Sequence, residues 1–346
     1  FDSYMPKEFV KMRNSCRIVL LSLMLVTANL AALEPIPDKL VVLTFDDSIK
    51  SHYTVVRPLL KKYGFGATFF ITEGFDFHDN KKDYMTWDEI IELHQDGFEI
   101  GNHTRDHLLV TDETVDELAE QLEAINSECK RHGIPRPVTM AYPGNSITSK
   151  ALAILAEKGI QFARRGGSPE YPYEKGRGFG YEPGLDHPLL IPSAGDARPD
   201  WELEDFTRAV GQASKGRIAV MQFHGTPDTA HAWVNTPREK FETYMNYLAT
   251  HGFKVISMRD LKRYVNPKIA PQDPSTVIED RKKTLASGSP ANNWRKPTSE
   301  NDLRYWFENM IGFHRFTLPE VSAATGISSH GVEKAMTRLK IEPGYN

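Results

Sequence analysis

Leu40-Val41-Val42-Leu43-Thr44-Phe45-Asp46-Asp47 is an apolar, β-branched run of strand length that ends in two adjacent carboxylates. Further on, Gly101-Asn102-His103-Thr104-Arg105-Asp106-His107 carries two histidines four residues apart. On a helical backbone both imidazoles would project from one face and could close on one ion. An isolated pair of this spacing is more often a solvated loop. The carboxylates after the apolar run change that reading. Two neutral nitrogens and one carboxylate make a facial ligand set with open positions, the usual form of a hydrolytic metal site.

Working outward, short apolar runs alternate with helical patterns. Strands are expected over 40–45, 66–71, 97–101, 138–142, 159–164, 188–191, 217–223 and 253–257. Helices are expected over 51–63, from the Thr86 cap to 95, and over 114–132, 149–157, 201–213, 237–250 and 258–264. Strand–helix alternation implies parallel strands with right-handed crossovers. Seven or eight such units predict an α/β fold, a distorted (β/α)7-8 barrel, whose active site gathers at the C-terminal strand ends. Asp46 and Asp47, His103, Pro143 and Gly144, and His224 all fall at such ends.

Residues 35–265 form this barrel, 266–300 read as a proline-punctuated linker, and 301–346 as a small helical module. Within the module, 316–339 reads as two helices around Thr325-Gly326-Ile327-Ser328, a helix-turn-helix-like pattern. Residues 1–32 read as upstream residues and a signal peptide: Met12, Arg13 and Arg17, an apolar core over 18–26, then small residues. The expected location is therefore secreted, periplasmic or in the cell envelope, with no stable membrane span once the signal is cleaved. A formal net charge of −4 gives no nucleic-acid signal. With only Lys334, Arg338 and Lys340 near the last helix, no nucleic-acid partner is expected. Of two cysteines, Cys16 lies in the signal and Cys129 in a helix, so no disulfide is expected.

The residue chemistry leaves alternatives open. Adjacent side chains of an extended strand point to opposite sides, so one of Asp46 and Asp47 could bind metal and the other face substrate as a base; a solvated Asp-Asp turn is the alternative. His224 could deliver a proton to a leaving amine or be a satisfied core histidine. In Ala141-Tyr142-Pro143-Gly144-Asn145, Gly144 allows close backbone approach to an oxyanion, or marks a simple turn.

Thr44-Phe45-Asp46-Asp47, His103-Thr104-x-x-His107, Ala141-Tyr142-Pro143-Gly144 and Phe223-His224, in that order, resemble the motifs of NodB-type polysaccharide deacetylases, carbohydrate esterase family four. The resemblance covers roughly 35–265. It implies that Asp47, His103 and His107 bind one divalent metal, zinc foremost, with cobalt or nickel as alternatives. It further implies that Asp46 is the base, that the Gly144 N–H stabilises the oxyanion, and that His224 is the general acid. The implied activity is removal of N-acetyl groups from N-acetylhexosamine units of a chitin- or peptidoglycan-like glycan. O-acetyl ester hydrolysis on xylan-type glycans, small-amide hydrolysis, and non-catalytic glycan binding are the alternatives. The chain departs at Ala141, where many members carry an Arg that orients the catalytic Asp. Arg164 or Arg165 could supply that charge. With Tyr142, these arginines are the expected substrate-binding residues. Trp201, Tyr181 and Trp233 could stack on sugar rings or simply pack.

Overall fold

The computed structural model describes residues 33–286, 297–313 and 315–342. The expected signal segment and part of the expected linker lie outside the described residues. Among the described residues, nine strands form one sheet: β1 (Leu40–Phe45), β2 (Thr68–Ile71), β3 (Glu99–Asn102), β4 (Thr139–Ala141), β5 (Phe162–Gly166), β6 (Ile191–Pro192), β7 (Gly195–Asp196), β8 (Ala219–Phe223) and β9 (Lys254–Ile256). The order is β6-β5-β4-β3-β2-β1-β8-β7, with β9 beside the first half of β1, and every ladder is parallel. Its two ends, β6 and β7, are consecutive pieces of one segment. Ser193 N–H donates to Gly166 O (3.0 Å) and Ala194 N–H to Val220 O (2.7 Å), so residues 191–196 carry the sheet from β5 across to β8. The result is a curled, distorted barrel closed by a six-residue seam.

Burial on both faces explains the apolar run that opens the chain's first strand. Val41, Leu43 and Phe45 pack into one core with the surrounding helices, while Leu40 and Val42 pack into a second, with Phe70, Ala141 and Phe162. Gly101 is the one residue that fits its place in β3, because a Cβ there would lie 2.5 Å from the Phe70 ring. The helices α1 (Arg57–Tyr63), α2 (Trp87–Gln95), α3 (Leu118–Arg131), α4 (Ala151–Glu157), α5 (Leu203–Val210) and α6 (Arg238–Thr250) follow the expected positions within a few residues. Thr86 caps α2 in a reciprocal box with Glu89, as its sequence implies. Cys129 is buried in α3 and unpaired.

Two expectations need correction. The expected linker contains a helix, α7 (Thr276–Ala286), whose Val277 and Ile278 are buried. Arg281 clamps it to the barrel with a two-pronged bond to Asp186 (2.6 and 3.0 Å). With only two buried apolar residues, its sequence shows no apolar stripe. The strand expected over 188–191 is found instead at the two-residue β6, and β7 follows it. The C-terminal helices α8 (Glu300–Phe307), α9 (Leu318–Thr325) and α10 (Ser329–Leu339) share a core of their own around Phe307, Val321, Val332 and Leu339. Gly326 ends α9 in the left-handed region at the expected turn. No helix among the described residues is long and apolar enough to cross a membrane.

Candidate active site

Asp46 follows β1 directly, and Phe45 before it faces the outer core, so alternation turns Asp46 inward. Asp47 would then face outward, but its φ of 73° breaks the alternation. Both carboxylates therefore line one cleft, with His103, His107, Gly144, Gln222 and His224. Ser48, Thr104, His107 and Asn145 also have positive φ. Such backbone strain in non-glycine residues concentrates where side chains must converge for function.

The donor atoms of Asp47, His103 and His107 lie within 4.8 Å of one another. Asp47 Oδ1 is 3.3 Å from His103 Nε2 and 3.4 Å from His107 Nε2. That oxygen is buried and accepts no hydrogen bond. His103 Nδ1 lies 2.8 Å from Ala141 O. Donation to that carbonyl puts the proton on Nδ1 and leaves Nε2 a lone pair facing Asp47, the arrangement metal-ligating histidines use. Burial and the neighbouring His103 hold the His107 pKa down to about 4, so that ring is neutral and free to ligate. Burial works against the Asp47 charge, but His103, His224 and His107 outweigh it and hold the carboxyl well below its usual range. The set fits one divalent cation.

Asp46 is met by a second group. Arg164, wholly buried, donates to Asp46 Oδ2 at 2.5 Å. Gln222 Nε2 approaches the same oxygen at 3.3 Å and is itself steadied by Ser193 Oγ, which donates to its Oε1 at 3.2 Å. Ala141 and Arg164 are register partners on β4 and β5. The guanidinium thus comes from the strand beside the one where the resemblance expects it, at the same level of the barrel.

His224 follows β8. Its Nδ1 is 3.5 Å from Asp196 Oδ1 and its Nε2 is 3.9 Å from Asp47 Oδ2. His52 Nε2 lies 3.1 Å from the His224 carbonyl oxygen. Burial disfavours charge on the His224 ring, but Asp196, then Asp47 and Asp46, outweigh it and raise its pKa to about 9. A histidine pKa raised on folding adds stability that is full below the unfolded value and is lost as pH rises through about 9. In the metal-free protein, Asp196→Asn is expected to bring this titration well below 9, because burial then meets less opposition. Ring-proton NMR against pH measures it, and an unmoved titration would exclude Asp196 as the cause.

Two expected substrate-binding residues are placed elsewhere. On β4, Ala141 faces the inner core, so Tyr142 beyond it turns outward among Met140, Leu155 and Ala163. It is wholly buried and its hydroxyl donates to Leu189 O at 3.0 Å. On β5, Phe162 is inward and Ala163 outward. Arg164 therefore points in. Arg165 points out to a two-pronged bond with buried Glu170, both contacts 2.6 Å. Neither Tyr142 nor Arg165 lines the cleft, and Arg164 holds Asp46 there rather than facing open space. Trp201 and Tyr181 are buried in the fold, whereas Trp233 is 65% exposed at the cleft. Sequence reasoning missed Asp196 and Gln222. Gln222 was legible in principle, two residues before His224 and opposite in parity to Met221 and Phe223. Asp196 was not, since its strand is two residues long.

Residues 34–163 match the family model described as polysaccharide deacetylase. That match spans less than half of the chain and agrees with the NodB-type resemblance of its motifs. Among curated proteins it is 29% identical over 128 residues to the peptidoglycan-N-acetylglucosamine deacetylase of Bacillus cereus, covering 37% of this chain and 56% of that protein. It is 34% identical over 92 residues to the peptidoglycan-N-acetylmuramic acid deacetylase PdaA of Bacillus subtilis, covering 26% and 32%. The chain thus spans about half or less of these relatives' lengths. Among solved structures, it is similar to the Xyl-CE4 domain of a multidomain xylanase from the hindgut metagenome of Trinervitermes trinervoides. That match has 18% identity and a TM-score of 0.46, and covers 68% of this chain and 95% of that one.

Proposed function

We propose that this protein is a metal-dependent hydrolase that removes N-acetyl groups from N-acetylhexosamine units of a chitin- or peptidoglycan-like glycan. The observation that carries the reading is the convergence in one cleft of three parts. These are the Asp47–His103–His107 donor set, the Asp46–Arg164 pair and the His224–Asp196 pair. Zinc is the first choice of cation, with cobalt and nickel next. A cation held by that triad supplies Lewis acidity to the acyl group and the attacking water. Asp46, fixed by Arg164, takes the proton from the water as its oxygen adds to the acetamide carbon. The Gly144 backbone at the cleft wall offers its N–H to the oxyanion. His224, kept charged by Asp196, gives its proton to the nitrogen as the C–N bond breaks, leaving acetate and an amine. The glycan and the signal-like segment both suit work outside the cytoplasm, at the cell envelope.

An acetate-release screen on chitooligosaccharide, peptidoglycan and acetylxylan, with bound metal quantified, tests this directly. Release from acetylxylan alone would replace the N-deacetylase reading with that of an O-acetyl esterase. His103→Ala is expected to reduce bound metal from about one ion per chain to near zero and activity with it, since it removes one of three protein ligands. Full activity in the metal-free variant would sink the mechanism.

A further inference from the structure

His52 takes part in no step of this chemistry, yet it reaches the residue that supplies the proton. The ladder between β1 and β8 ends where Asp46 N–H donates to Phe223 O (3.0 Å). The next carbonyl, that of His224, lies beyond the strand and needs another donor, because a buried peptide group left unpaired is costly. His52 Nε2 lies 3.1 Å from it. Only a protonated nitrogen can bond a carbonyl oxygen, so the ring carries its proton on Nε2. That ring is wholly buried, with Phe45 at 5.5 Å and Phe69 at 5.6 Å. Burial lowers its pKa to about 4 against the pull of the bond to His224, so the ring is neutral. Its Nδ1 has no hydrogen-bond partner among the described residues. An imidazole set between phenylalanines with one nitrogen unpaired is a costly way to fill a core. What it provides is the donor at its other nitrogen.

Neighbouring bonds act on the same turn. Thr226 N–H donates to Ser51 Oγ (2.7 Å), Thr236 N–H to Gly225 O (3.1 Å) and Gly225 N–H to Asp228 Oδ2 (3.3 Å). The stretch that leads from Asp47 to His52 is itself anchored. Ser48 Oγ donates to Thr72 O (2.7 Å) and accepts from Thr72 N–H (3.0 Å). Ser51 and His52 therefore carry the chain from the Asp46–Asp47 pair to the end of β8, and tie the base and the acid to one frame. The bond from His52 fixes the His224 peptide, and with it the direction from which the His224 ring meets Asp196 Oδ1 (3.5 Å). We propose that His52 is a positioning residue for His224, holding the acid in place through its backbone carbonyl so that it governs cleavage wherever the leaving group needs a proton. This assignment rests on the deacetylase reading, in which His224 is the proton donor.

The test compares zinc-loaded full chains on two acetyl donors. The β-1,4-linked tetramer of N-acetylglucosamine must have its leaving amine protonated, whereas 4-nitrophenyl acetate releases a phenolate that leaves without a proton. His52→Leu fills most of the space and removes the donor. It is expected to lower kcat on the tetramer by at least about tenfold, since a small displacement of a reacting group costs up to about a hundredfold. KM for the tetramer, and the rate on 4-nitrophenyl acetate, should stay within about twofold, because only the proton-requiring step is touched. Bound metal should be unchanged. His52→Gln, whose amide reaches about as far as Nε2, should restore most of the loss. Equal losses on both donors, or no loss on the tetramer, overturn the assignment. If His52→Leu does not fold, His52→Asn, whose shorter amide stops short of the carbonyl, takes its place. If the unsubstituted chain cleaves no N-acetyl group, the deacetylase reading falls, and acetylxylan, whose alkoxide also needs a proton, replaces the tetramer. Ring-proton NMR of the zinc-loaded protein reads the same point without any activity. His52→Leu should broaden or split the His224 resonances and leave those of His103 in place, and a single unmoved His224 resonance overturns the assignment.

Discussion

Asp46→Asn is expected to lower kcat for acetate release by about a thousandfold, within the usual range for loss of a positioned proton acceptor. Bound metal should remain, because the Asp47, His103 and His107 donors are untouched. The substitution keeps the size of the side chain and most of its contacts. Asn can still accept from Arg164 and Gln222 through its carbonyl oxygen, so the fold should persist. It cannot take a proton from water near neutral pH. Single-turnover kinetics with metal analysis on the same preparation check both halves. Retention of a tenth or more of the activity would show that another group accepts the proton.

Arg164→Ala is expected to have the largest effect on stability. Asp46 would be left at the inner end of β1 without its cation, and breaking a buried ion pair from one side costs about 3–5 kcal/mol. For a domain of this size each kcal/mol moves Tm by roughly 2–4 °C, so a fall of the order of 6–20 °C should appear in a thermal melt. Activity should fall with it, since an unpaired buried carboxylate tends to take up a proton. The register supplies a rescue. Ala141 lies beside Arg164 on the neighbouring strand, on the same inner face. Ala141→Arg in the Arg164→Ala background returns a guanidinium to Asp46 from the position where the family resemblance expects one. Partial recovery of both Tm and kcat is the expected result. Recovery of neither would show that Arg164 acts through something other than its charge at Asp46.

Much of this site is legible in the amino-acid sequence. Asp46, Asp47, His103 and His224 stand at the ends of apolar runs long enough to be recognised as strands, and parallel strands deliver their ends to one rim. What the pattern does not supply is parity. Arg164 and Arg165 are chemically equal in the sequence. Only the register of β5 against β4 decides that the first meets Asp46 and the second meets Glu170. The same alternation removes Tyr142 from the cleft. Asp47 shows the converse case, where a left-handed backbone overrides alternation and brings two neighbouring carboxylates to one side. Residues 166–200 are least legible because two-residue strands carry no period. Asp196, which charges His224, is hidden there.

The seam at 191–196 gives this last point a consequence for breathing motions of the native protein. The proposed cation donors sit after β1 and β3, but the partner of His224 sits on the strip that fastens the sheet to itself. Excursions that unzip only this strip would leave ion affinity intact and withdraw the carboxylate that keeps His224 charged. Amide exchange at Ser193, Ala194 and Asp196 is thus a gauge of how often Asp196 leaves His224, which on the proposed mechanism would interrupt proton delivery.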